Sequence, residues 1–202
     1  YNDSASKIGS FSVQNRQSIT YDEMPQNLRD AVVSAENRTF WSDPGISVKG
    51  MSRAAFSVLR GGDVQGGSTI TQQYIKVLYL SQERTMQRKL KELVLADKMG
   101  RKVPKEDILA GYLNTIYFGR GAYGVQAAAK AYFNIDAKDL DLRQAAVLAA
   151  VLNNPTLFDP SDGPAARERL LGRYRYVLDG MLEMGRISQN DHDAASHALP
   201  DF

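Results

Sequence analysis

The chain has 202 residues, 43% hydrophobic and 24% charged, enough for one substantial core and too few for two full domains. A net charge of +2 is too mild to argue for a nucleic-acid partner, and the lack of cysteine excludes a disulfide framework and thiolate-held metal. His192 and His197 alone make no zinc centre, no apolar run reaches the roughly eighteen residues of a membrane span, and a start at Tyr1 without a signal peptide reads as a fragment or processed product.

Residues 1–20, rich in Ser, Asn and Gln with Ile8, Phe11 and Val13 alternating, read as an N-terminal arm, and residues 21–202 as the domain itself. After Tyr21 the apolar spacing turns helical. A helix opens at Pro25, carries Leu28, Ala31, Val32 and Ala35 on one face, and delivers Glu36 at its far end before a turn at Trp41 to Gly45. Residues 47–60 place Val48, Met51, Ala55, Val58 and Leu59 on one side with Lys49, Arg53 and Arg60 among them. That pattern fits a core helix with solvated cations as well as a helix lying on a membrane surface. Further helices run through Ile70, Tyr74, Val77 and Leu78, then from about Gln82 to Met99 with Gly100 as the stop. Pro104, at an N1-like position, opens one through Ile108, Leu109, Tyr112 and Ile116 that Gly119 ends. Val125 to Phe133, Leu142 to Leu152, Ala165 to Met184 and a short tail helix capped by Ser188 complete the series. With no strand alternation and no repeat, the class is mainly α.

Three stretches could carry chemistry. Gly66-Gly67-Ser68-Thr69-Ile70-Thr71-Gln72-Gln73 combines close backbone approach with hydroxyls and free amides at a helix start, which suits an anion; a plain capped loop explains the glycines equally well. Lys76, Arg84, Arg88, Lys89 and Lys91 follow it, enough positive charge to hold a pyrophosphate, with Arg88 and Glu92 neighbours at i and i+4. Glu36 stands beside Phe40 and Trp41, where desolvation would make a carboxylate a better base. Taken singly, a surface glutamate and a solvated ion pair would account for the last two.

Taken together and in order, these stretches resemble a known family. Glu36-Asn37-Arg38-Thr39-Phe40 with Gly45, Gly66 to Gln73, Arg88-Lys89-Leu90-Lys91-Glu92, Tyr112-Leu113-Asn114 with Tyr117 to Gly119 and Gly121 to Gly124, and Arg173 before Val177-Leu178 are similar to the five ordered motifs of family 51 glycosyltransferases. The resemblance spans Tyr21 to Met184 and implies a lysozyme-like, two-lobed helical domain around a substrate cleft, like the glycosyltransferase module of bifunctional class A penicillin-binding proteins. It implies polymerisation of lipid II, a lipid-linked glycan chain being the donor, on the extracytoplasmic face of the bacterial cell membrane, and inhibition by moenomycin-type phosphoglycolipids. By the same resemblance Glu36 is the base on the acceptor hydroxyl and Glu92 the second carboxylate, assisting pyrophosphate departure, positioning the donor or holding a divalent cation. Gln73, Lys76, Arg84, Arg88 and Lys89 align with donor-phosphate contacts, and Ser68 and Tyr117 with the cleft wall. No cofactor is required, with Mg or Mn at Glu92 the one option left open. Two positions depart from the family pattern, which has Asp after the first Glu and His two residues before the Gly, where this chain has Asn37 and Asp43.

A lysozyme-like muramidase or lytic transglycosylase would also need two carboxyls. A sugar alkoxide leaves with a proton from a carboxylic acid, whereas a pyrophosphate leaves as an anion and needs positive charge. Glu92 stands among Arg88, Lys89 and Lys91, which favour its carboxylate form and so the transferase. A non-catalytic lipid-binding module would not need both glutamates, and nucleic-acid binding is disfavoured because aromatics are not interleaved for stacking on bases.

Overall fold

The computed structural model describes residues 17–46, 68–79 and 86–202. The expected basic helix at 47–60, the glycines 66 and 67, and Arg84 lie outside them. Eight α-helices occur among the described residues: α1 Gln26–Glu36, α2 Ile70–Tyr79, α3 Met86–Lys102, α4 Lys105–Thr115, α5 Val125–Phe133, α6 Leu142–Val151, α7 Pro164–Glu183 and α8 Gln189–Ser196. Short 3₁₀ turns at Ala137–Asp139 and Pro160–Asp162 flank α6. The described residues contain no strand, only a bridge between Tyr117 and Tyr123, so the mainly α, lysozyme-like class holds.

The helices pack as two groups. In one, α6 is buried from Ala145 through Val151, and its alanines let α1 and α7 approach closely on either side. Because a helix apolar all round must be covered all round, α6 forms the centre of this group, with α8 added on α7. Its N-terminus is closed by a capping box, Asp141 accepting from the Gln144 amide while Gln144 returns a bond to the Asp141 N–H. In the other group α3 and α4 both pack on α2, and α5 links α4 back to α6. Glu36, the last residue of α1, therefore emerges where the first group meets the second.

At Gly100, Pro104 and Gly119 the boundaries differ from the sequence reading. Gly100 does not stop α3, which runs on to Lys102; the residue is glycine because a Cβ there would stand 2.2 Å from the Pro44 carbonyl oxygen. Gly45, at φ +98°, faces the same helix from the turn, so turn and helix meet backbone to backbone. Pro104 is the N-cap of α4 rather than its first residue, and that helix ends at Thr115 with Ile116 extended, well before Gly119.

Candidate active site

Glu36 is presented by the C-terminus of α1, its side chain only 9% exposed. Gln73 of α2 donates from Nε2 to Glu36 Oε2 at 2.8 Å, and the buried Tyr112 of α4 donates its hydroxyl to Gln73 Oε1 at 2.9 Å. An ionised Glu36 can only accept, so it fixes the NH2 end of Gln73 on itself and leaves the carbonyl end for the Tyr112 hydroxyl. From α7, Arg173 brings Nη2 to 3.7 Å from Glu36 Oε1, which has no hydrogen-bond partner among the described residues. Burial pushes the Glu36 carboxyl above its ordinary value, opposed by the Gln73 hydrogen bond and the Arg173 charge. Burial, helped by the Glu36 charge, likewise drives the Tyr112 phenol well up, so it remains a neutral donor.

The turn after Glu36 is held by a second network. Asn37 donates from Nδ2 to Asp43 Oδ2 at 2.8 Å, and Asp43 Oδ1 accepts the Gly45 N–H at 2.8 Å and Lys105 Nζ at 3.2 Å. The two positions that depart from the family pattern thus bond to each other, and neither reaches Glu36 by a hydrogen bond among the described residues. Thr69 ties the turn to α2: its hydroxyl donates to the Gly45 carbonyl at 2.6 Å and accepts the Gln72 N–H, while Gln72 Oε1 accepts the Thr69 N–H. That reciprocal pair is a capping box, which accounts for the Thr and the first Gln of the Ser-Thr-Ile-Thr-Gln-Gln run. The second Gln is the one on Glu36.

Glu92 of α3 is 2% exposed. Lys89 donates from Nζ to its Oε1, Arg88 Nη1 lies 3.8 Å from Oε2, and Lys89 also donates to Ser68 Oγ at 3.2 Å. The two carboxylates therefore sit at different levels of α2, one linked through Ser68 just before its first turn and the other through Gln73. The surroundings differ more than the position does: Glu36 is held by a neutral amide with one cation at a distance, Glu92 by two adjacent cations.

Residues 3–182 match the family model described as Transglycosylase. The chain belongs to the transglycosylase family. It is 46% identical over 185 residues to penicillin-binding protein 1A of Mycolicibacterium smegmatis, covering 89% of this chain and 23% of that protein. Penicillin-binding protein 1A of Aquifex aeolicus is 44% identical, with 93% and 26% covered, and penicillin-binding protein 1F of Bacillus subtilis 37% identical, with 92% and 26% covered. The transglycosylase chain thus spans about a quarter of these relatives. In fold it is similar to penicillin-binding protein 1A from Haemophilus influenzae at a TM-score of 0.53 and 23% identity, over 94% of this chain and 18% of that one.

Within this transglycosylase domain, Glu36 and Gln73 share one cluster and Ser68, Arg88, Lys89 and Glu92 the other. Lys76 is exposed one turn beyond Gln73 on α2. Tyr117, 39% exposed, lies against Tyr123 at a centroid distance of 4.8 Å, the rings tilted by 42°, in the turn after α4. Tyr112 and Arg173 stand in motif stretches, yet sequence reasoning does not mark them as site residues. The signal for Arg173 is an arginine breaking the apolar spacing of α7, and for Tyr112 a hydroxyl-bearing ring on a buried helix face. Among the described residues no three acidic or histidine side chains gather around a metal position.

Proposed function

We propose that this domain is a peptidoglycan glycosyltransferase, extending glycan strands from lipid II by inverting attack on a lipid-pyrophosphate-linked donor. The observation that carries the reading is the unequal environment of the two carboxylates. Glu36, buried and held by Gln73, has raised proton affinity and an oxygen without a hydrogen bond, the properties of a general base. Glu92 is fixed between Lys89 and Arg88, beside Ser68.

The acceptor 4-hydroxyl attacks the anomeric carbon of the donor, and Glu36 takes its proton as the new O–C bond forms. The bond from that carbon to the pyrophosphate oxygen breaks on the opposite face, and the electron pair leaves with the pyrophosphate. Inversion converts α to β without a covalent sugar intermediate. Arg88 and Lys89, with Lys76 and Arg84 further along the same cationic stretch, stabilise the departing anion, and Glu92 positions Lys89. No step is routed through a metal.

A lipid-linked substrate requires the site to lie at a membrane surface, and exposed Val77, Leu78, Tyr79, Leu90 and Val94 on the adjoining α2 and α3 supply apolar contact for it. No described helix is long and apolar enough to cross a bilayer. On the proposed reading the contact lies on the extracytoplasmic side, where lipid II is polymerised. A phosphoglycolipid of the moenomycin type fits the donor side by the same charge and lipid chemistry.

One observation favours a hydrolase instead: a buried carboxyl with raised proton affinity also suits a general acid. Labelled lipid II in detergent separates the two. Transfer gives a ladder of lengthening glycans that moenomycin suppresses; digestion of preformed glycan strands, with no ladder, would establish the hydrolase and overturn the proposal.

A further inference from the structure

Arg173 is anchored twice. Its Nη2 donates to the Ala35 carbonyl at 2.9 Å, and its guanidinium lies 4.5 Å from the Tyr176 ring centroid. Ala35 is in the last turn of α1, where carbonyls lack helical partners and the helix dipole is negative, so a cation is favoured there. From this anchorage the same nitrogen stands 3.7 Å from Glu36 Oε1, too far for a hydrogen bond and near enough for a charge interaction.

We infer, on the reading that Glu36 is the base, that Arg173 is its positioning residue: a fixed positive charge beside the carboxylate oxygen that no hydrogen bond occupies among the described residues. Held by Ala35 and Tyr176 rather than by Glu36, it keeps the buried base ionised without a direct hydrogen bond that would tie up the oxygen needed for the acceptor proton. Around Glu36 the described charged and titratable groups are Arg173 from α7 and Tyr112 from α4, with neutral Gln73 from α2. Tyr112 stays neutral, and Arg38, the next cation along the chain, is paired with Glu183 and donates to the Ser34 carbonyl. Arg173 is thus the full positive charge that opposes the burial of Glu36.

The test is a pH–rate profile for lipid II polymerisation by the full chain, Arg173→Met and Arg173→Lys, at saturating and limiting substrate. Removing the cation favours protonated Glu36, so the acid limb of kcat should move to higher pH in Arg173→Met, with about a tenfold or greater loss near neutrality and recovery as pH rises. KM should change little, and Arg173→Lys should return the limb towards that of the parent. If thermal melting shows Arg173→Met unfolded, Arg173→Gln is read in its place by the same criteria. An acid limb that stays where it is in the parent chain, or a defect in KM alone, overturns the inference. Glu36→Gln in the same assay separates the two readings: full polymerisation by it removes Glu36 as base, while its inactivity beside an unmoved limb in Arg173→Met removes only the role of Arg173.

Discussion

A carboxylate that works as a base must be reluctant to stay charged and yet be charged when substrate arrives. At Glu36 burial supplies the reluctance, and Gln73 and Arg173 limit it. This has a consequence for folding. The folded carboxyl holds its proton more tightly than the unfolded one, so as pH rises from the ordinary value of 4.5 towards the raised folded value, stability falls, and above the folded value the loss is complete. Glu36→Gln lacks that ionisation. Its melting temperature should therefore exceed that of the parent at neutral pH and above, by roughly 2–4 °C for each kcal/mol relieved, with the gap closing below the ordinary value. Differential scanning at several pH values checks this; a variant that melts lower at neutral pH would show that Glu36 is net stabilising. That both glutamates, Ser68, Lys89 and Gln73 are candidates was legible in the chain, because they fall within short stretches rich in chemistry, and the structure gathers them into two clusters. Partnership was less so. That Gln73 holds Glu36, that Arg173 approaches it from 137 positions away, and that Asn37 pairs with Asp43 depend on how helices cross, which spacing along one helix does not encode.

At the level of elements, α2 connects the two clusters. Its first turn is closed by the Thr69–Gln72 box, its start is tied to Glu92 through Ser68 and Lys89, and its next turn carries Gln73 to Glu36. The turn between Glu36 and the described start of α2 is in turn held against α3 at Gly45 and Gly100, with a Cβ on either glycine meeting backbone at 2.2 Å. Gly100→Ala should therefore force turn and helix apart, costing about 1–3 kcal/mol and lowering the melting temperature, although alanine is the better helix former. A variant as stable as the parent would show that the contact is looser than its geometry indicates. Helix existence was legible because apolar residues recur with helical spacing over many turns. Helix ends were less legible at Gly100 and Gly119: a glycine needed for close packing looks in sequence like a glycine needed to end a helix.

For the molecule as a whole, the division into an α1–α6–α7 group and an α2–α3–α4 group gives each carboxylate its own surroundings. Glu36 comes from the first group and is met by side chains of both; Glu92, with its cations, belongs to the second, beside the exposed apolar residues that suit a lipid surface. The helical class followed from periodicity, but the meeting of the two groups at Glu36 follows from long-range packing. The most direct test of the central claim is polymerisation of labelled lipid II by Glu36→Gln, with moenomycin binding measured on the same preparation. Moenomycin should still bind, because the Ser68–Lys89–Glu92 cluster is untouched, while glycan growth should fall by about two to four orders of magnitude, the scale of a lost general base. Growth at the parent rate would contradict it and return the role of base to another residue.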